Sequence, residues 1–156
     1  MIHTLNDYIA LLEERNLLAA PIPGEIDRSA PVELVSYDSR EVVPGTLFIC
    51  KGAHFKAEFL EMAREKGAIA YVSQAPYPQV DLPAVLVKDM RQTIAPLADL
   101  FYGHPSGRLK VIGLTGTKGK SSTAYYLKYI LDEYAAERNK PETGVISSID
   151  TYDGVE

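Results

Sequence analysis

The sequence predicts an α/β protein built in two parts. Residues 1–107 read as a mixed α/β domain, and residues 108–156 as the opening strand–turn–helix–strand (βαβ) unit of a second, truncated domain. Three observations lead there. Helical stretches with apolar residues three and four apart alternate with short runs rich in Val, Ile and Ala, the pattern of strands joined by helical crossovers. The stretch YGHPSGR, residues 102–108, breaks that alternation and reads as a linker. Beyond it, GLTGTKGKSST, residues 113–123, sets glycines and lysines between an apolar run and a long helical pattern.

In chain order, a first helix is predicted from Leu5 to about Arg15, capped by Thr4 with Asp7 three residues on, and with Leu5, Ile9 and Leu12 on one face. APIPGEIDRSAP is a loop by its prolines and glycine. VELVSYDSR reads as a strand running into a turn, and VPGTLFIC as a Pro-Gly turn feeding a second strand. The helix AEFLEMAREKG is expected to turn Phe59, Met62 and Ala63 inward and to stop at Gly67. Strands AIAYVS and AVLVKD follow, separated by the proline-broken loop QAPYPQVDLP. A helix then begins near Asp89, with Gln92 completing the cap; Pro96 inside its pattern predicts a kink or a later start.

The second part reads as a buried strand LKVIGLT, the turn GTKGK, a helix from Ser121 to about Arg138, the breaker NKPETG and a short strand VISSI. The helix carries an expected packed stripe of Ala124, Leu127, Ile130, Leu131 and Tyr134. Its tyrosines fall all around it, which fits core packing with exposed hydroxyls better than base stacking. Parallel strands need both faces of their sheet covered, and two strands with one helix cannot do that. The chain is therefore expected to be the front of a larger protein.

Composition narrows the function classes. With 46% hydrophobic and 24% charged residues the chain reads as globular, and its apolar runs fall well short of the roughly 18–20 residues that span a bilayer. The N-terminus lacks the basic segment of a signal peptide. A single cysteine, Cys50, cannot form an internal disulfide and fits a reducing cytoplasm; its apolar neighbours predict a buried structural thiol. A net charge of −5 with both signs interspersed gives no footprint for nucleic acid or an anionic membrane. His3 and His104 have no cluster of Cys, Asp or Glu at ligand spacing, so no metal is expected on them.

The glycine loop is the main chemical signal. The pattern G-x-x-x-x-G-K-[ST] would place its first glycine at Leu114, so this is an incomplete phosphate loop. The chemistry survives that loss. Backbone amides between Thr115 and Ser121 can wrap a phosphate at a helix N-terminus, with Gly116 and Gly119 free to adopt positive φ. Lys120 would reach the β- and γ-phosphates and the Ser121 hydroxyl would ligate Mg²⁺. The plainer alternative is a strand-to-helix turn with a serine cap and two solvated lysines.

The form Thr115-Gly116-Thr117-Lys118-Gly119-Lys120-Ser121-Ser122 resembles the ATP loop of the Mur ligases, the amide-forming enzymes of peptidoglycan precursor synthesis. A second stretch, YDSREVVPGTLFICKG from Tyr37 to Gly52, resembles a segment of the N-terminal domain of MurE-type and MurF-type ligases. Taken by themselves, Asp38, Ser39 and Arg40 make a turn, Asp and Ser bonding local amides and Arg40 a surface pair. MurF-type loops typically read T-G-S, and folylpolyglutamate synthetases lack the D-S-R segment, so Thr117 favours the MurE type.

The resemblance implies a P-loop ATPase fold for the second part. It implies ATP contacts from Gly116, Thr117, Lys118, Gly119, Lys120, Ser121 and Ser122, with Lys120 catalytic and Ser121 on the Mg²⁺ of bound ATP. For the UDP-sugar it implies Ser39, the Tyr37 backbone and, near a second loop, His54. The implied reaction activates a carboxylate of UDP-N-acetylmuramoyl-L-alanyl-D-glutamate as an acyl phosphate, which an incoming L-lysine or meso-diaminopimelate amine displaces. The cofactors the resemblance implies are ATP and Mg²⁺, and the location it implies is cytoplasmic. Further Mg²⁺ ligands and the amino-acid site belong to later parts of such ligases, so these 156 residues are expected to show no turnover. A MurF-type fragment, an unrelated P-loop NTPase and a non-catalytic nucleotide-sugar-binding module are the alternatives.

Overall fold

The computed structural model describes residues 2–52 and 55–153, which form two compact units, one ending at Leu109 and the other beginning at Lys110. The first unit is built on four parallel strands in the order β1 (Leu34–Ser36), β2 (Thr46–Ile49), β3 (Ala68–Ser73) and β4 (Ala84–Leu86). Helices α1 (Leu5–Glu14), α2 (Ala57–Glu65) and α3 (Met90–Phe101) cover it.

Strand alternation sorts the core into two layers. Leu47, Ile49, Ala70, Val72, Val85 and Val87 share a cluster with Leu5, Ile9 and Leu12 of α1 and Leu97 and Leu100 of α3. Their sequence neighbours Phe48 and Tyr71 point the other way and pack with Leu60 and Ala63 of α2. Every residue of β2 is buried, as a central parallel strand covered on both faces requires. Leu47, Phe48 and Ile49 each contribute about 1.5–3 kcal/mol by leaving water.

The ends of α1 and α3 form as their sequences predict. The Thr4 amide and hydroxyl donate to the Asp7 carboxylate at 2.7 and 3.0 Å, and Asp89 accepts from the Arg91 amide at 2.8 Å and from the Gln92 side chain at 3.3 Å. Helix α3 neither starts late nor stops at Pro96; it runs through that residue from Met90. Pro96 removes one helical hydrogen bond, and Leu97 and Leu100, both buried, hold the turn in place. Residues 102–108 are more ordered than a plain linker: His104 Nδ1 meets Asp99 Oδ2 at 2.7 Å, and Pro105–Arg108 form a 3₁₀ turn.

Helix α2 turns Ala63 inward as expected, but not Phe59 or Met62. Leu60 and Ala63 are buried, whereas Phe59 and Met62 are 39% and 40% exposed. In nine residues two apolar stripes compete. The sheet selected the one carrying Leu60, which fits against Phe48 and Tyr71. Cys50 is partly buried beside this layer, and burial pushes its thiol up to about 12.

The second unit carries helix α4 (Lys120–Ala136) and the strands β5 (Val145–Ile146) and β6 (Thr151–Tyr152). The expected βαβ unit is not formed. Residues 110–116 have no regular secondary structure, with Val111 70% and Ile112 57% exposed, and β5 pairs antiparallel with β6. A strand read as buried on both faces requires neighbouring strands. Among the described residues of this unit the only sheet is the β5–β6 hairpin.

Polar groups hold α4 to that hairpin. Asp132 accepts from the Thr143 amide at 2.7 Å, Lys128 bonds Asp132 and Glu142, and the Tyr152 hydroxyl donates to Glu142 at 2.9 Å. The contact side therefore runs through Leu127, Lys128, Leu131 and Ala135. Ile130 and Tyr134 of the predicted stripe are exposed, as are Tyr126 and Tyr129, against the expectation of core packing.

Candidate functional site

The first candidate site begins where β1 ends. Ser36 closes the strand and its Oγ accepts from the Asp38 amide at 3.0 Å, starting a turn. The Asp38 carboxylate then accepts from the Arg40 amide at 2.9 Å and from the Arg40 guanidinium at 2.5–3.1 Å. These Arg40 bonds, side chain first, hold the Asp38 carboxyl down at about 2, so it is charged across the working range. The local turn and surface ion pair read from the residues alone are thus both present.

That turn also walls an open cleft of about 480 Å³. Tyr37, Asp38, Ser39 and Arg40 line one side, and Phe59 and Met62 of α2 the other. Tyr37 stands exposed at the rim with the Lys51 ammonium 4.7 Å from its ring centroid, and Ser39 is largely buried. Phe59 meets Phe55 edge to face at 6.2 Å. The cleft therefore combines a charged, hydrogen-bonding wall with an apolar one, a chemistry suited to a ring bearing a polar tail. Of the predicted site residues, Tyr37 and Ser39 come together here; His54 lies outside the described residues. Sequence reasoning missed Phe59 and Met62 by assigning them to the core.

The second candidate site is the glycine turn. Gly116 and Gly119 have φ of +151° and +77°, and Gly119 is the N-terminal cap of α4. A side chain at Gly119 would be strained by that left-handed backbone. Thr123 N–H closes the first helical bond onto the Gly119 carbonyl at 2.9 Å. The amides of Lys120, Ser121 and Ser122, ahead of it in the first turn, have no intrahelical acceptor and face the helix's positive end. Lys120 Nζ donates to the Gly116 carbonyl at 2.6 Å, arching back over the turn. An anion has donors here, so the turn suits a phosphate group such as those of ATP. Thr117 and Lys118 occupy the exposed bend. Among the described residues no cluster of three metal-ligating side chains occurs, and no helix is long and apolar enough to cross a membrane.

A parallel sheet with helices on both faces, followed by a glycine turn opening a helix, defines an α/β protein with a phosphate-binding type of turn. Two solved structures from Acinetobacter baumannii share the fold. They are UDP-N-acetylmuramoylalanyl-D-glutamyl-2,6-diaminopimelate–D-alanyl-D-alanyl ligase (TM-score 0.56) and a MurF crystal structure (TM-score 0.58). Each is 24% identical and covers 86% of this chain, which spans 29% and 28% of theirs. No family model matches the chain.

Sequence relatives are closer, and by them the chain belongs to the Mur ligase family, in its MurE branch. The UDP-N-acetylmuramyl-tripeptide synthetase of Lactobacillus delbrueckii subsp. bulgaricus is 41% identical over 97% of the chain. The UDP-N-acetylmuramoyl-L-alanyl-D-glutamate–L-lysine ligase of Enterococcus faecalis is 43% identical over 79% of it. The chain spans 28% and 24% of the length of these two relatives.

Proposed function

We propose that this chain is the substrate-capturing front of an ATP-dependent ligase. The ligase adds the third amino acid to UDP-N-acetylmuramoyl-L-alanyl-D-glutamate in the cytoplasm during peptidoglycan precursor synthesis. The observation that carries the reading is the Asp38–Arg40 turn walling a cleft in a chain 41% identical to a tripeptide synthetase. Residues 1–107 are the uridine-nucleotide-sugar domain and residues 108–156 the start of the ATP domain. In the cleft, Ser39 and the Tyr37 backbone hold the uridine diphosphate, and Phe59 and Met62 shield its ring from water.

On the second unit, the amides from Gly116 to Ser122 cradle the phosphates of ATP, Lys120 contacts the β- and γ-phosphates, and Ser121 presents its hydroxyl to Mg²⁺. Bound Mg²⁺ supplies charge neutralisation during phosphoryl transfer. Lysine is the amino acid favoured by the name of the Enterococcus faecalis relative, with meso-diaminopimelate the alternative. The 156 residues by themselves are proposed to bind without turnover.

Calorimetric titration with UDP-N-acetylmuramoyl-L-alanyl-D-glutamate, repeated on Ser39→Ala, tests the reading. Binding that Ser39→Ala weakens supports it. Wild-type protein that takes up no sugar nucleotide removes the substrate-capturing role.

A further inference from the structure

Resting on that reading, we infer that Lys66 is a positioning residue of the uridine-diphosphate cleft, tying the turn that forms one wall to the helix that forms the other. Its Nζ donates to the carbonyl oxygens of Ser39 and Arg40 at 3.0 and 2.8 Å, across 27 and 26 residues of chain. Its own backbone amide donates to the Met62 carbonyl at 3.2 Å. One residue thus bonds both a lining residue of α2 and the turn opposite.

The turn needs such a tie. It follows β1, a three-residue strand at the edge of the sheet, paired on one side only. The Asp38–Arg40 bonds fasten the turn to itself, and the Ser36–Asp38 bond fastens it to the end of that edge strand. The bonds from Lys66 connect it to the C-terminal end of α2. An ammonium is well suited to this role, because it offers three donors to converging carbonyls and stands at the negative end of the α2 dipole. Holding the Ser39 and Arg40 carbonyls to the end of α2 fixes the distance between this turn and the helix that carries Phe59 and Met62. The side chain of Lys66 is itself exposed, so its loss leaves the buried core intact.

The test is calorimetric titration of the 156-residue protein with uridine diphosphate, for wild type, Lys66→Met and Lys66→Arg, with thermal unfolding of each. Wild type should bind and Lys66→Met should bind on the order of fivefold more weakly, as loss of two charge-assisted bonds predicts. Lys66→Arg, which keeps the charge and paired donors, should recover most of that loss, and all three should unfold at closely similar temperatures. Equal binding by wild type and Lys66→Met overturns the positioning role while leaving the cleft reading in place. A Lys66→Met unfolding temperature lowered in step with its affinity, unrescued by arginine, overturns it as well, by making the residue merely structural. Wild type that fails to bind uridine diphosphate overturns the cleft reading and this role with it.

Discussion

Lys120 Nζ lies 2.6 Å from the carbonyl oxygen of Gly116, so the lysine on which nucleotide binding would depend is held folded back over its own turn. A phosphate entering the turn offers that ammonium stronger, charged acceptors within the same reach. Lys120→Ala is therefore expected to weaken binding of an ATP analogue at least about tenfold, with helix content unchanged. Fluorescence anisotropy beside circular dichroism would read both. Unaltered affinity would return GLTGTKGKSST to a plain turn.

Asp38 gives a pH signature. Its folded carboxyl sits at about 2, below the ordinary 3.8, because Arg40 donates to the charged form. A depressed carboxylate contributes stability that is fully present above its unfolded value and is lost as pH falls through the folded one. The contribution should thus fade between about pH 4 and pH 2. Carbon-detected NMR titration should place Asp38 near the lower value, and Arg40→Ala should move it back toward 3.8. Identical titrations in the two proteins would show the pair to be incidental.

The two faces of α2 should differ sharply. Leu60 is wholly buried, so Leu60→Ala is expected to cost about 2–5 kcal/mol. Phe59→Ala and Met62→Ala, made on the cleft side, should each cost about 1 kcal/mol or less. Chemical denaturation decides this. Comparable losses at Leu60 and Met62 would mean that the cleft wall is packed core.

Gly67 ends α2 with φ of +94°, and a Cβ there would lie 2.9 Å from Pro44 Cα. Backbone strain and overlap act together, so Gly67→Ala should destabilise the first unit by about 2 kcal/mol. A shift of the unfolding midpoint measures it, and an unchanged midpoint would mean that Pro44 yields freely.

Much of the first unit was legible because local chemistry and long-range packing agree there. Thr4 and Asp7, Asp89 and Gln92, and the stop at Gly67 act within a few residues, and the apolar run LFI after its Pro-Gly turn reads directly as a strand. Legibility failed where two faces or two partners compete. Phe59-Met62 and Leu60-Ala63 are equally good stripes by spacing, and only Phe48 and Tyr71 across the layer decide between them. LKVIGLT has the composition of a buried strand, but composition does not supply the neighbouring strands it requires. Lys66 was invisible for another reason: a lysine that donates across 27 residues looks, in sequence, like any other charge at a helix end.

The sequence by itself determined the caps that open α1 and α3, the stop of α2 at Gly67, the alternation that makes an α/β sheet, and the two motifs that resemble the Mur ligases. Caps, turns and periodicities are properties of neighbouring residues, and they need no partner from far along the chain. Tertiary structure alone decided which stripe of α2 faces the sheet, and therefore that Phe59 and Met62 wall a cleft with Tyr37 and Ser39. It also decided that Lys66 reaches the Ser39 and Arg40 carbonyls. The physical reason is that a binding cleft is a distance between elements, and packing sets distances that spacing along a chain leaves open.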